Sequence, residues 1–74
     1  MALIKPGIYK HYKGNKYLVL ALAKHSETLD EMVVYVSLYQ NPVSQVWVRP
    51  AKMFGEKVEY NGKKVPRFKF ISNA

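Results

Sequence analysis

A chain of 74 residues with 12 Lys+Arg against 5 Asp+Glu, and a formal net charge of +7, has room for one domain with a small core. It has no cysteine, which excludes disulfides and cysteine-ligated zinc, and its 49% hydrophobic and 14% aromatic composition excludes a disordered basic tail. No apolar run approaches the ~18 residues of a membrane span. The opening Met1-Ala2-Leu3-Ile4-Lys5-Pro6-Gly7 holds only a short apolar stretch, so the sequence predicts one cytoplasmic globular domain over 1–74, with no secretory signal and no membrane partner.

Turn signals at Lys5-Pro6-Gly7, Lys13-Gly14-Asn15, Asn41-Pro42 and Asn61-Gly62 divide the chain. The segments between them are rich in Val, Tyr, Leu and Phe, which suit strands. Strands are predicted at about 7–12, 16–24, 31–39 and 45–49, with two shorter ones near 56–60 and 65–71 around the Asn61-Gly62 hairpin signal. Ser26-Glu27-Thr28-Leu29-Asp30-Glu31 resembles a capped helical turn but is too short to stand alone, and reads as the loop between strands 2 and 3. Pro50-Ala51-Lys52-Met53-Phe54, closed by Gly55, has the proline-first, glycine-after asymmetry of one helical turn.

Alternation along strands 2 to 4 separates two faces. Even positions (Leu18, Leu20, Leu22, Val34, Val36, Leu38, Val46 and Val48) are wholly apolar and read as the core, closed by Phe54 and by Phe68 or Phe70. Odd positions carry Tyr35, Tyr39, Trp47 and Arg49 and read as the opposite face. Hairpin registers that respect these faces set His25 opposite Glu31, Ala21 opposite Tyr35, and Tyr35 opposite Arg49. Five to six short antiparallel strands and one helical turn fit an all-β, SH3-like barrel, with an OB-like barrel as the competing topology.

The chemistry-bearing residues argue against catalysis. His25-Ser26-Glu27 has triad residue types, but neighbours on an extended chain point to opposite faces. His11 and His25 share no ligand spacing, so no metal is expected, and the four glycines stand singly, so no phosphate loop or other cofactor site is expected.

Charge is distributed unevenly: residues 25–48 hold three acids and no Lys or Arg, while both flanks are basic. If the first and last strands are neighbours, Lys10 and Lys13 join Lys63, Lys64 and Arg67 in a basic surface interleaved with aromatics, suited to tracking nucleic-acid phosphates. The face of Tyr35, Tyr39, Trp47 and Arg49 suits a peptide, protein or base, because aromatics with an arginine make good anchors.

Tyr9-Lys10-His11-Tyr12-Lys13-Gly14, Tyr17-Leu18-Val19-Leu20, Ala23-Lys24-His25-Ser26-Glu27-Thr28-Leu29, Val33-Val34-Tyr35, Leu38-Tyr39, Trp47-Val48-Arg49-Pro50, Met53-Phe54 and Val65-Pro66-Arg67-Phe68 together resemble a family of short bacterial proteins filed as a domain of unknown function. The resemblance spans about residues 7–70 and implies a stand-alone bacterial protein; it brings no activity, cofactor or catalytic residue. His25, Ser26, Glu27, Tyr35, Trp47, Arg49 and Arg67 are the polar and aromatic positions it carries over. Lys24 stands where the family often has arginine, which removes a bidentate group there.

The sequence therefore predicts a non-catalytic binding module. Its ligand site comprises Tyr35, Tyr39, Trp47, Arg49, His25, Glu27 and Arg67, and its partner is a nucleic acid, a peptide or a small anion. The alternative is a small enzyme or accessory subunit using His25 and Glu31 for proton transfer.

Overall fold

The computed structural model describes residues 4–74. Its strands are β1 (Gly7–His11), β2 (Lys16–Lys24), β3 (Glu31–Ser37) and β4 (Val46–Pro50), followed by one helical turn, α1 (Ala51–Phe54), then β5 (Lys57–Tyr60), β6 (Lys63–Pro66) and β7 (Phe68–Ser72). Five strands form an antiparallel sheet in the order β4-β3-β2-β1-β7, and β5 and β6 form a separate hairpin. The all-β class and the helical turn match expectation.

Local chemistry explains these boundaries. Asn61 and Gly62 both take positive φ, 52° and 76°, as a two-residue hairpin of this hand requires. Pro50 enters α1 at φ −53°, and the Gly55 N–H donates to the Ala51 carbonyl at 3.0 Å to end it. The expected 65–71 strand is instead two, because the chain turns at Arg67, whose N–H donates to the Glu56 carbonyl at 3.0 Å.

The first and last strands are neighbours, as expected: β1 pairs with β7 through Tyr9↔Phe70 and His11↔Phe68. No ladder joins β4 to β7 among the described residues, so the ladders alone do not close a ring. Side chains nevertheless cross the gap. The rings of Phe68 on β7 and Tyr35 on β3 are 5.7 Å apart, although β1 and β2 lie between those strands. In a flat sheet three strand spacings would separate them by roughly 14 Å. The sheet is therefore strongly curled, with the core on its inner face.

That core reverses the predicted facing. Tyr9, Val19, Val33, Tyr35, Phe54 and Phe68 are buried, with Tyr17, Trp47, Ala51 and Phe70 packed against them. Phe54 and Phe68 stack at 4.1 Å, and Tyr9 and Tyr35 meet Phe54 edge-on. Of the predicted core, Phe54 and Phe68 hold, and Phe70 packs beside them. Leu20, Leu22, Leu38, Val46 and Val48 are exposed, and Leu18, Val34 and Val36 only half-buried. The physical reason is volume. A short curled sheet encloses one side only, and large aromatic rings reach across that interior where Val and Leu would leave it hollow.

A bulge in β2 breaks the alternation. Val19 pairs with Tyr35 but Ala21 pairs with Val34, so Leu20 is the extra residue and the faces swap beyond it. The expected Ala21–Tyr35 pair is therefore replaced by Val19–Tyr35, and Glu31 pairs with Lys24 rather than with His25. The β3–β4 register is two residues from the expected one, with Tyr35↔Trp47 and Val33↔Arg49, which preserves the faces. On the outer face, the registers align Ile8–Leu18–Val36–Val46, then Ala21–Val34–Val48, then Ala23–Met32–Pro50 as uncharged cross-strand rows.

Candidate ligand-binding cleft

The β3–β4 ladder places Tyr35, Ser37, Trp47 and Arg49 together on the inner face. Ser37, the one buried polar residue among those described, receives the Trp47 Nε1–H at 3.2 Å. This bond fixes the indole plane at the β4 edge. Tyr17 projects beside Tyr35, with ring centres 5.4 Å apart, and its hydroxyl shares a 2.8 Å hydrogen bond with that of Tyr39. Asn41 Nδ2 donates to the Tyr39 hydroxyl at 3.1 Å, and the Asn41 backbone N–H is held by Gln45 Oε1 at 2.8 Å. The result is a cleft of about 210 Å³ lined by Tyr17, Tyr35, Asn41, Trp47 and Arg49.

Arg49 is the charge in this cleft. Its Nε–H donates to the Tyr35 hydroxyl at 3.3 Å, and its guanidinium carbon stands 5.8 Å from the Phe68 ring centre. Its two terminal amino groups donate to no protein group among the described residues, and no carboxylate pairs with it there. A half-buried guanidinium thus keeps four N–H donors free, in the fork that matches a carboxylate or phosphate.

The surroundings are electropositive. His11 packs edge-on against Phe68 at 5.0 Å, and its Nδ1 accepts the Lys13 N–H at 3.1 Å. Burial first, then the charges of Arg49, Arg67 and Lys13, holds its pKa below the usual imidazole range. Burial, followed by the hydrogen bond with Tyr39, pushes the Tyr17 phenol up, so it stays protonated. The cleft therefore presents a guanidinium, two phenols and an indole, with no carboxylate or thiol in its lining.

Of the predicted ligand residues, Tyr35, Trp47 and Arg49 line this cleft, and Tyr39 stands behind it through Tyr17. Arg67 is close enough to act on His11, but its guanidinium is paired with Glu56 at 3.1 Å. Its Nε is buried without a partner. His25 and Glu27 lie in the β2–β3 loop, not in the cleft: His25 Nδ1 accepts the N–H groups of Glu27 and Thr28 at 3.1 and 3.3 Å. His25 is thus a loop cap, and Glu31 faces Lys24 at 4.0 Å, so the two are not brought together as a proton-transfer pair. Sequence reasoning missed Tyr17, Asn41 and His11. Tyr17 shared the odd parity of Tyr35, which was the available signal.

The predicted basic surface is divided. Lys10 pairs across strands with Lys16 and Lys69 on the outer face. Lys13 lies over the Tyr12 ring at 5.8 Å, and Tyr12 meets Tyr60 at 5.3 Å in the hairpin that carries Lys63 and Lys64. A second, larger groove of about 600 Å³ runs between the β2–β3 loop and α1, lined by Leu29, Asp30, Glu31, Ala51 and Lys52 among others. Its charged residues are all exposed, and it holds no unpaired half-buried cation. Among the described residues no cluster of three or more His, Asp or Glu could hold a metal ion, and no helix is long and apolar enough to cross a membrane.

No curated protein matches the chain. A crystal structure of a DUF1653 protein from Bordetella bronchiseptica is similar, with a TM-score of 0.90 and 35% identity, covering 96% of this chain and 91% of that one. Residues 7–70 match the family described as "Protein of unknown function (DUF1653)", and the chain belongs to that family.

Proposed function

We propose that this chain is a bacterial, cytoplasmic, non-catalytic binding module whose inner-face cleft receives an oxyanion-bearing group, a carboxylate or a phosphate. The observation that carries this reading is Arg49: a half-buried guanidinium with four unengaged N–H donors, walled by Tyr17, Tyr35 and Trp47. A fixed fork beside rigid aromatic walls recognises a planar or tetrahedral oxyanion bidentately and shields it from water. The 210 Å³ of the cleft equals roughly seven water volumes, which suits the end of a ligand rather than a whole nucleotide. His11 borders this cleft: its ring meets that of Tyr17 edge-on at 6.4 Å, and the Arg49 charge reaches it.

The basic corner supports a second reading, in which the oxyanion is a nucleic-acid phosphate. Tyr60 is exposed, meets Tyr12 edge-on and pairs across the hairpin with Lys63, while Lys13 lies over the Tyr12 ring, an arrangement suited to one unstacked base and its phosphates.

The test is a titration of isotopically labelled protein with acetate, inorganic phosphate and short single-stranded oligonucleotides, followed by NMR. The expected result is saturable movement of the Arg49 Nε–H and Trp47 indole signals, lost in Arg49→Ala. Signals that stay fixed with all three ligands overturn the reading.

A further inference from the structure

The outer face of the five-stranded sheet is the part of the molecule that the cleft does not use. Its three uncharged rows are centred on Val34 and Val36, and at the β4 edge Val46 and Val48 remain 56% and 61% exposed. Contiguous aliphatic surface of this kind marks an interface. Nothing from the described chain covers it: α1 packs on β3 and β4 from the inner side, where Phe54 enters the core, and the β5–β6 hairpin forms its own sheet.

The charges at the two ends of this face say what fits it. At one end Lys69, Lys10 and Lys16 form a single cross-strand row on the outer face, in register with one another. At the other end the β2–β3 loop carries Glu27 and Asp30, both exposed, within the segment 25–48 that holds three acids and no Lys or Arg. Neither Lys10, Lys16 and Lys69 nor Glu27 and Asp30 take part in an ion pair among the described residues. Lysine row and acidic loop are separated by the length of β2, about 26 Å at ~3.3 Å per residue.

We propose that the outer face is a self-association surface that takes a second copy of this chain, strands antiparallel, about a two-fold axis lying in the interface, perpendicular to the strands, beside Val34 and Val36. Such an axis lays each copy's lysine row against the other's acidic loop while the valine rows meet between them. A parallel arrangement would set lysine row against lysine row, which like-charge repulsion forbids. A two-fold contact also uses one patch twice, so the same valines serve as surface and countersurface. The cleft faces the opposite side and stays open in the dimer.

Sedimentation equilibrium over a wide concentration range tests this directly. The wild-type chain is expected to move from 8.6 kDa toward twice that mass as concentration rises. Val48→Glu is expected to remain monomeric, with Val46→Lys as the second variant should the first misfold, the fold of each being checked by its amide NMR spectrum. Lys16→Glu is expected to weaken association at least tenfold, and Lys16→Glu with Asp30→Lys to restore it. A wild-type mass of 8.6 kDa throughout overturns the proposal, as does association that Val48→Glu leaves unchanged. Failure of the charge swap to restore association overturns the antiparallel arrangement.

Discussion

Arg49 and Phe68 belong to the two opposite edges of the five-stranded sheet, yet the guanidinium carbon of one lies 5.8 Å from the ring centre of the other. Four strand spacings would put them roughly 19 Å apart in a flat sheet. The curl that brings them together also forms the core and the cleft. Phe68 closes the aromatic interior with Phe54, and Arg49 lies over its rim and lines the cleft that remains. The core and the proposed binding cleft thus share residues, which sets what each substitution should do.

The reversed facing gives the first prediction. Val33 is fully buried and Val48 is 61% exposed, although both sit in the centre of apolar strands. Val33→Asp should abolish folding, since an unpaired buried carboxylate costs several kcal/mol. Val48→Asp should cost less than about 1 kcal/mol when measured at a concentration below that of the proposed self-association. Thermal melts of the two variants check this, and equal losses would contradict the assigned facing.

Trp47 tests the overlap of core and cleft. It packs against the core and donates to buried Ser37. Trp47→Ala should cost about 2–4 kcal/mol, somewhat below the range for a fully buried aromatic. Arg49→Ala should leave the melting curve nearly unchanged, because the lost bond to Tyr35 is a single long one. Chemical denaturation of both variants separates the structural residue from the one proposed to bind ligand.

Gly7 has φ +145°, and a Cβ there would meet Phe70 Cε1 and the Ser72 carbonyl oxygen, each at 2.7 Å. Its hydrogen is what lets β1 lie against β7. Gly7→Ala should therefore destabilise by more than about 1 kcal/mol through strain and a forced shift of β7. The measurement is a denaturant midpoint, and an unchanged midpoint would mean that β7 moves freely.

His11 gives a pH dependence with a defined sign. Its folded pKa lies below its unfolded value, so the folded state binds the proton less readily. The stability this supplies is fully present above the unfolded value of ~6.5 and falls as pH drops from there through the folded pKa. His11→Asn should flatten that part of the stability profile, measured by denaturant midpoints between neutral and mildly acidic pH.

For the basic corner, binding of single-stranded nucleic acid through three or four phosphates should give a log–log salt slope of roughly −2 to −3. Lys63→Gln with Lys64→Gln should make that slope shallower. An unchanged slope would remove the β5–β6 hairpin from the contact surface.

Much of the fold was legible because turns carry strong local chemistry. Asn61-Gly62 and the Pro50–Gly55 turn could be located from residue type alone. Alternation likewise separated two faces of β3 and β4 correctly. It did not say which face is inside, because both are apolar, and the choice depended on whether Tyr35, Trp47 and Phe68 or the valines could fill a curled interior. The Leu20 bulge left no mark in a run of Leu, Val and Ala, so the faces of β2 beyond it and the Glu31 pairing came out wrong. The cleft was partly legible for the same reasons. Tyr35, Trp47 and Arg49 share a parity, and Tyr17 shares it on the neighbouring strand, whereas Asn41 and His11 join them only through loop geometry and curl.

The proposed oxyanion binds beside Arg49 and close to His11, whose pKa is held down by burial and, after it, by the positive field of Arg49, Arg67 and Lys13. An anion bound there offsets that field, so it must raise the His11 pKa, and by linkage its affinity must grow as pH falls. The direct measurement is an NMR pH titration of the His11 ring protons with and without saturating inorganic phosphate, in wild type and in Arg49→Ala. The expected result is an upward shift of the His11 pKa with phosphate in the wild type and none in the variant. A His11 pKa that phosphate leaves unchanged in the wild type, or moves equally in Arg49→Ala, would contradict it.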